Sequence, residues 1–133
     1  MGETWAKDVM IKRKDMYTIN PKKRIALARL RMLRHGVGAL PVVDDDNTLV
    51  GIITLRDIDL AGERTNDLFA KDLMTTDVIT RSGNTSIGEI AETMDRASIQ
   101  RIPIINEDGK LIGLVTQSVV IRSLVAKLKS KSS

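Results

Sequence analysis

The chain repeats one pattern at a fixed distance, and this repeat limits the folds open to it. The run Leu-Pro-Val-Val around Pro41 returns as Ile-Pro-Ile-Ile around Pro103, and the run Gly-Ile-Ile-Thr ending at Thr54 returns as Gly-Leu-Val-Thr ending at Thr116. Both pairs are 62 residues apart (103 − 41 and 116 − 54). A fixed period is typical of a duplicated supersecondary unit. Two such units usually bury against each other, so we expect the functional site in the cleft between them.

The length of 133 residues leaves room for one domain or for two half-domains that share a core. We divide it into a first repeat at 1–65 and a second at 66–133, joined by a linker at about 61–70, which together form one module. Without cysteine the chain can form neither a disulfide nor a thiolate metal site. The absence of a long apolar run favours a soluble, cytoplasmic protein. The net charge of +4 suits an anionic ligand.

Each repeat begins with a short opening, Lys7-Asp-Val-Met10 in the first and Lys71-Asp-Leu-Met74 in the second. A short β segment follows, at 16–19 and at 78–80, and then a helix. Asn20 is predicted to cap the first of these helices, with Pro21 at its first position and an end near Gly36. The run Ser-Ile-Gly-Glu at 86–89 predicts a capping box for the second.

Two strands and another helix complete each repeat. The strands are predicted as pairs joined by a polar turn, and their β-branched, almost continuous apolar runs indicate burial on both faces. A helix is expected after Thr54 and again after Thr116. Each repeat therefore has the order β-α-β-β-α, which places the chain in the α/β class. The predicted strands are Ala39–Val43, Val50–Thr54, Ile102–Ile105 and Leu111–Thr116.

The doubled order of motifs resembles the CBS domain, and two copies in tandem resemble the CBS pair, or Bateman module. The match is carried by the Asp-x-Met openings, the strands around Pro41 and Pro103, and the Gly-h-h-Thr strand ends, where h is an apolar residue. Asp57 completes one Gly-h-h-Thr-x-x-Asp. The resemblance implies two β-α-β-β-α repeats packed with pseudo-two-fold symmetry, whose clefts bind AMP, ADP, ATP or S-adenosylmethionine. Because it covers nearly the whole chain, it indicates a stand-alone CBS-domain protein that regulates rather than catalyses.

Thr54 and Asp57 lie where a strand gives way to a helix, and they have two interpretations. They form a capping box if the hydroxyl and the carboxylate each accept a backbone N–H. They bind a nucleotide if the helix start faces phosphate and the carboxylate accepts both ribose hydroxyls. The resemblance favours nucleotide binding, which uses the same geometry as the capping box. Arg56, between them, is as consistent with a phosphate contact as with a surface charge.

The second repeat lacks this carboxylate, because Val119 stands where the first repeat has Asp57. Val119 cannot bind a ribose diol, so we expect one competent cleft and a second that is empty or weaker. The two polar residues that precede Ile102 and Pro103 also have no polar equivalent in the first repeat, where Gly38 and Ala39 occupy their positions. The weaker second cleft is predicted to comprise Thr18, Ile19, Gly38, Ala39 and Thr116.

The resemblance also implies how the second repeat completes the better cleft. By similarity to the γ subunit of AMP-activated kinase, the residues just before the second proline face the phosphates, and here these are Gln100 and Arg101. The guanidinium of arginine matches phosphate oxygens. Val78, Ile79 and Thr80 are expected to line the adenine slot, with main-chain groups reading the base, and Pro103 to contribute to it.

The sequence therefore predicts a regulatory module that senses an adenine nucleotide and requires no other cofactor. Alternatives are a ligand-independent dimerising scaffold, a binder of S-adenosylmethionine, and a nucleic-acid binder, for which the chain has too few aromatic side chains. No catalytic or metal site is expected, since no nucleophile–base pair or metal-ligand cluster is evident. By the resemblance, the expected partners are a second copy in a homodimer and a regulated enzyme or transporter, without a membrane.

Overall fold

The computed structural model describes residues 3–132, apart from the side chains at positions 65 and 132. Short 3-10 helices lie at Arg13–Asp15 and Gly62–Asp67, so the predicted linker has regular structure. The α-helices in chain order are α1 (Ala6–Val9), α2 (Ile25–His35), α3 (Leu55–Ala61), α4 (Ala70–Leu73), α5 (Ile87–Ala97) and α6 (Gln117–Ser132).

The strands are β1 (Ile11–Lys12), β2 (Ala39–Val43), β3 (Leu49–Thr54), β4 (Arg101–Ile105) and β5 (Leu111–Thr116). They form two small antiparallel sheets, one with the order β1-β5-β4 and one with the order β2-β3. Both hairpins match the prediction to within one residue, and their turns place Asn47 and Gly109 at φ of 63° and 78°. The expectation of burial on both faces holds for β2, whereas β5 alternates buried with half-buried residues.

The chain divides into two compact units that do not coincide with the sequence repeats 1–65 and 66–133. The first unit joins the chain up to Met16 to the segment from Ile79 onward, and the second is Tyr17–Val78. The reason is that each opening pairs with a strand of the other repeat. In the first unit β1 pairs with β5, and in the second the main chain of Thr75 bonds to that of Ile52.

The Asp-x-Met openings have a structural explanation in these pairings. Asp72 of α4 accepts a hydrogen bond from the Phe69 N–H at 2.8 Å, which caps this short helix. Met74 then lies over Gly51 of β3, where a Cβ atom would come within 2.8 Å of the Met74 sulfur and of the Thr75 carbonyl oxygen. The strand needs glycine at this position because the opening runs directly across it. Asp8, Met10 and Gly113 repeat the arrangement in the first unit.

Each unit has its own apolar core, built almost entirely from aliphatic side chains. In the first unit α5 and α6 cover the sheet with fully buried residues such as Ile90 and Ile102. In the second, α2 and α3 cover β2 and β3 with Met32 and Ile53. Burying each such side chain contributes about 1.5–3 kcal/mol, which compensates for the scarcity of aromatic residues.

Two predictions about helix starts have different outcomes. The prediction that Asn20 caps the first long helix is wrong, because α2 begins at Ile25 and the Asn20 side chain instead accepts the Lys22 N–H within a turn. Ser86 does cap α5, accepting the Glu89 N–H at 3.1 Å, although the reciprocal bond of a capping box does not form in the described structure.

The short β segments predicted at 16–19 and 78–80 are also wrong in extent. In the first segment only Ile19 forms a bridge, beside Val42, and in the second the bridge is formed by Arg81, just after the predicted range, beside Ile104. These bridges are parallel to the hairpin strands, and each bonds to the main chain on both sides of its partner. The segment 78–80 itself is irregular and half-buried.

Candidate functional site

Thr54 and Asp57 form the reciprocal capping box that was one of the two interpretations of their spacing. The Asp57 N–H donates to the Thr54 hydroxyl at 3.1 Å, and the Thr54 N–H donates to Oδ2 of Asp57 at 3.0 Å. Both side chains are half-buried at the junction of β3 and α3. Oδ1 of Asp57 has no hydrogen-bond partner among the described residues. The carboxylate is thus held by one oxygen and keeps the other available as an acceptor.

Arg56 points into solvent between these two residues, and we find no ion pair for it within residues 3–132. Its exposure is compatible with both interpretations that the sequence left open.

The second repeat keeps half of this arrangement. The Val119 N–H donates to the Thr116 hydroxyl at 3.3 Å, so the threonine caps α6 as Thr54 caps α3. Val119 is 5% exposed and packs in the apolar core of its unit. Where the first repeat has a carboxylate, the second therefore has a core residue that offers no polar atom.

Arg101 and Gln100 lie at the start of β4, in the first unit. Arg101 is the strand partner of Thr116, and the Gln100 carbonyl accepts the Gln117 N–H at 2.9 Å. The strand pairing fixes the backbone, while the half-buried guanidinium makes neither a hydrogen bond nor an ion pair with the described part of the chain. Arg101 therefore has its full set of donors available.

The same positions of the first repeat carry no such donor. Ala39 is the strand partner of Thr54 and is 9% exposed, and the Gly38 carbonyl accepts the Leu55 N–H at 2.9 Å. The backbone geometry of the two repeats is thus conserved while their side chains differ. The free carboxylate and the free guanidinium are therefore on different repeats. Asp57 follows Thr54, whose strand partner is Ala39, whereas Arg101 is itself the strand partner of Thr116.

The side chain of Arg81 contacts the main chain of the segment that we expect to bind adenine. The sequence did not predict this contact. Nη1 of Arg81 donates to the Thr80 carbonyl at 2.7 Å, and Nη2 donates to the Thr93 hydroxyl at 3.5 Å. In the first repeat Arg31 reaches the Thr18 carbonyl in the same way. A carbonyl oxygen has two lone pairs, so Thr80 can accept one further hydrogen bond.

Two of the predicted residues are too buried to offer their side chains. Pro103 lies in the buried part of β4, and its carbonyl accepts the Arg81 N–H at 3.2 Å. Ile19, assigned to the weaker cleft, is 1% exposed and belongs to the core of the second unit. Any role of these positions is confined to shaping the surrounding main chain. Val78 and Ile79 remain half-buried and accessible in part.

The part of the chain that the structure describes holds no cluster of three or more His, Asp or Glu side chains suited to a metal ion. Across residues 3–132, none of the helices combines the length and the apolar character needed to cross a lipid bilayer.

Comparison with curated proteins identifies relatives that contain this module within a longer chain. Inosine-5'-monophosphate dehydrogenase from Thermoplasma acidophilum is 37% identical over 108 residues. The match takes in 81% of this chain but 21% of the dehydrogenase, so the chain spans about a fifth of that relative's length.

Solved structures show the same fold along almost the entire chain. CBSX2 in complex with AMP, a protein known from Arabidopsis thaliana, is 27% identical with a TM-score of 0.82, covering 92% of this chain and 96% of its own. The CBS domain pair of MJ0100, in complex with 5'-methylthioadenosine and S-adenosyl-L-methionine, is 28% identical with a TM-score of 0.82, covering 95% and 99%.

The family model of the CBS domain matches twice, at residues 6–62 and 70–126. Both matches contain an opening, a hairpin and the helix that follows it, as the structure shows them. The chain belongs to the CBS domain family and carries two CBS domains.

Proposed function

We propose that the chain is a regulatory module that binds one adenine nucleotide, AMP, ADP or ATP, using residues of both CBS domains. The observation that carries this proposal is the asymmetry between the domains. The free oxygen of Asp57 is an acceptor for ribose, whereas the free guanidinium of Arg101 is a donor for phosphate. Each domain provides one of the two chemistries that a nucleotide requires.

The ribose contact rests on the capping box. Because Oδ2 of Asp57 accepts the Thr54 N–H, the carboxylate is held in one orientation before a ligand arrives. A preorganised acceptor loses less conformational entropy on binding. Thr54 contributes by fixing the carboxylate and by its own hydroxyl, which can donate while it accepts the Asp57 N–H.

The phosphate contact rests on Arg101, with Gln100 beside it and Arg56 as a further candidate. A fork of N–H donors without a protein partner matches phosphate oxygens in geometry and charge. The net positive charge of the chain also attracts an anionic nucleotide at longer distances. Adenine would then contact the main chain of Val78, Ile79 and Thr80.

Related proteins support the ligand class without fixing the ligand. CBSX2 was solved with AMP, and MJ0100 with two adenosyl compounds. The alternative of S-adenosylmethionine is favoured by the second of these structures. It is disfavoured by Arg101, because S-adenosylmethionine carries a positive sulfonium and offers the guanidinium one carboxylate in place of a phosphate.

Regulation follows from linkage rather than from chemistry on the ligand. A nucleotide held by both domains stabilises one placement of the domains over others, and a partner that distinguishes the placements responds to the nucleotide. We therefore propose a non-catalytic role. A homodimer, a regulated enzyme or transporter as partner, and a cytoplasmic location remain predictions from the family.

Isothermal titration calorimetry with AMP, ADP, ATP and S-adenosylmethionine tests the proposal. We expect at least one of the three nucleotides to bind, and Asp57→Ala and Arg101→Gln each to weaken that binding about tenfold or more, since each removes a hydrogen bond to a charged group. Tighter binding of S-adenosylmethionine, unaffected by Arg101→Gln, would establish the alternative.

Two control variants separate the ligand contacts from general effects. Asp72→Ala removes a helix-capping carboxylate outside the proposed site, and Arg64→Gln removes an exposed positive charge. Both are expected to leave nucleotide affinity within a factor of about two, a difference well below one hydrogen bond. Absence of binding to any of the four compounds at millimolar concentration would contradict the proposal and favour a ligand-independent scaffold.

A further inference from the structure

Segment 78–80, which we expect to bind adenine, leaves most of its main-chain polar groups unpaired. Among the described residues, the first two members of the segment form no hydrogen bond, and Thr80 is contacted at its carbonyl oxygen alone. The next residue, Arg81, is bound to β4 by main-chain hydrogen bonds of 3.2 and 3.0 Å. The groups that would contact the base are thus free of protein partners, while their placement depends on the residue that follows them.

The side chain of Arg81 folds back onto this segment and connects it to α5. Its Nη1 donates to the Thr80 carbonyl at 2.7 Å, and its Nη2 donates to the Thr93 hydroxyl at 3.5 Å. Thr93 is 4% exposed, and its hydroxyl donates to the Glu89 carbonyl at 2.9 Å, so its oxygen is oriented as an acceptor for the guanidinium. The guanidinium therefore links an irregular segment to a buried position on a regular helix.

The first repeat brings a guanidinium to the equivalent carbonyl from a different element. Thr18 and Thr80 are 62 residues apart (80 − 18), and Arg31 of α2 donates to the Thr18 carbonyl. Arg31 corresponds in the second repeat to Thr93 (93 − 31 = 62) and not to Arg81. The arginine thus differs in position between the repeats, whereas its contact with the carbonyl is the same. This indicates that the contact itself is what both repeats require.

Packing alone does not explain an arginine at position 81. The equivalent position of the first repeat is Ile19 (81 − 19 = 62), which is 1% exposed in its apolar core. Arg81 is half-buried, and we find no ion pair for it within residues 3–132. Partial burial of a charge without a counter-ion is unfavourable. An apolar side chain would therefore suit the fold at this position, and the guanidinium has another role.

We propose that Arg81 is a positioning residue that holds the Thr80 carbonyl as the acceptor for the 6-amino group of adenine. The inference rests on the proposed nucleotide function and adds the residue that selects the base. One lone pair of the oxygen accepts the guanidinium, and the other remains for a ligand. The amino group carries the N–H donors of adenine once N9 is bonded to ribose, so this acceptor favours 6-aminopurines.

The selectivity follows from preorganisation of the acceptor. Without the guanidinium, the carbonyl of an irregular segment is free to turn, and ordering it on binding costs conformational entropy. Held by Arg81, the carbonyl forms its hydrogen bond with the amino group without that cost. A ligand that lacks the amino group leaves the oxygen desolvated and without this bond, which is unfavourable.

Isothermal titration with AMP and with purine riboside 5'-monophosphate tests this role, because the second compound lacks only the amino group. We expect the wild-type protein to bind AMP about three- to tenfold more tightly, a difference typical of one hydrogen bond. Arg81→Met should weaken AMP binding by about that factor and leave the second compound within about twofold, so that the preference is lost. Arg81→Lys keeps a donor without the planar fork and should show an intermediate preference.

Arg31→Met is the matched control, because it removes the same contact from the first repeat, at Thr18 of the weaker cleft. It is expected to leave the affinity for both compounds within a factor of about two. Circular dichroism establishes that the variants are folded, and methionine keeps an unbranched apolar stem at position 81.

Three results would overturn the positioning role while nucleotide binding stands. These are equal weakening of both compounds by Arg81→Met, an unchanged preference in the folded methionine or lysine variant, and a wild-type protein that binds both compounds equally. A wild-type protein that binds neither compound would instead contradict the proposed function itself.

Discussion

At the scale of single residues, two glycines determine how closely the chain can pack on its own strands. Gly113 of β5 and Gly51 of β3 each lie beneath a methionine from an opening segment. At Gly113, a Cβ atom would lie 2.8 Å from Cγ of Met10 and 2.9 Å from the Ile11 carbonyl oxygen. The backbone oxygen cannot move without breaking the pairing of β1 with β5. The glycine is therefore a packing requirement as well as a motif position.

Gly113→Ala should destabilise the fold through this overlap. We expect a loss of about 1–3 kcal/mol in the free energy of unfolding, the range for overpacking in a well-packed core. Urea denaturation followed by circular dichroism measures it. Gly88→Ala is the matched control, because Gly88 lies in α5 with no atom closer than 4.0 Å to the added carbon. It should stabilise by up to about 1 kcal/mol, and equal losses in both variants would contradict this account.

The structural roles of single residues could be predicted where a hydrogen bond to a residue nearby in sequence decides them. Thr54 with Asp57, and Thr116 without such a partner, follow directly from a spacing of three residues along a helix start. The contact of Arg81 with the Thr80 carbonyl could not be predicted, because it depends on a side-chain rotamer. The corresponding arginine of the first repeat, Arg31, is on a different element, so the repeat gave no signal for it.

At the scale of elements, α3 and α6 show how one motif supports two helices to different degrees. Helix α3 has seven residues and begins with a box of two hydrogen bonds. Helix α6 has 16 residues and begins with one, at 3.3 Å. Short helices are marginal on their own, so the box contributes more to α3 than the single cap contributes to α6.

Thr54→Ala should therefore cost more stability than Thr116→Ala. We expect the first to lower the free energy of unfolding by about 1 kcal/mol, a typical value for loss of an N-cap, and the second by less. Thermal denaturation measures both. Thr54→Ser keeps the hydroxyl and should restore most of the loss. A Thr116→Ala variant that is less stable than Thr54→Ala would contradict the expectation that the shorter helix depends more on its cap.

The start of α2 shows why element boundaries were harder to predict. Asn20 and Pro21 are residue types that favour a helix start. In the structure, however, hydrogen bonds to residues distant in sequence hold this part of the chain outside the helix. The Asn20 side chain donates to Asp45 at 2.8 Å, and the Ile25 N–H donates to the Leu68 carbonyl at 3.0 Å. These partners are distant in sequence, so local propensity could not identify them.

At the scale of the whole molecule, the repeat predicted the family and the fold class, and both are confirmed. The repeat did not predict which sheet each opening joins. A period of 62 residues is the same whether an opening pairs within its own repeat or with the other. The structure pairs each with the other repeat, so the two compact units are interleaved along the chain. Such long-range pairing has no signature in hydrophobic spacing.

Titration of the ¹⁵N-labelled protein with AMP, followed by NMR, shows whether one nucleotide contacts Asp57 and Arg101 together. We expect the amide signals of residues 54–57 and of Gln100 and Arg101 to shift in parallel, with one shared dissociation constant and one AMP per chain. Shifts confined to one of the two groups, or two different dissociation constants, would contradict it.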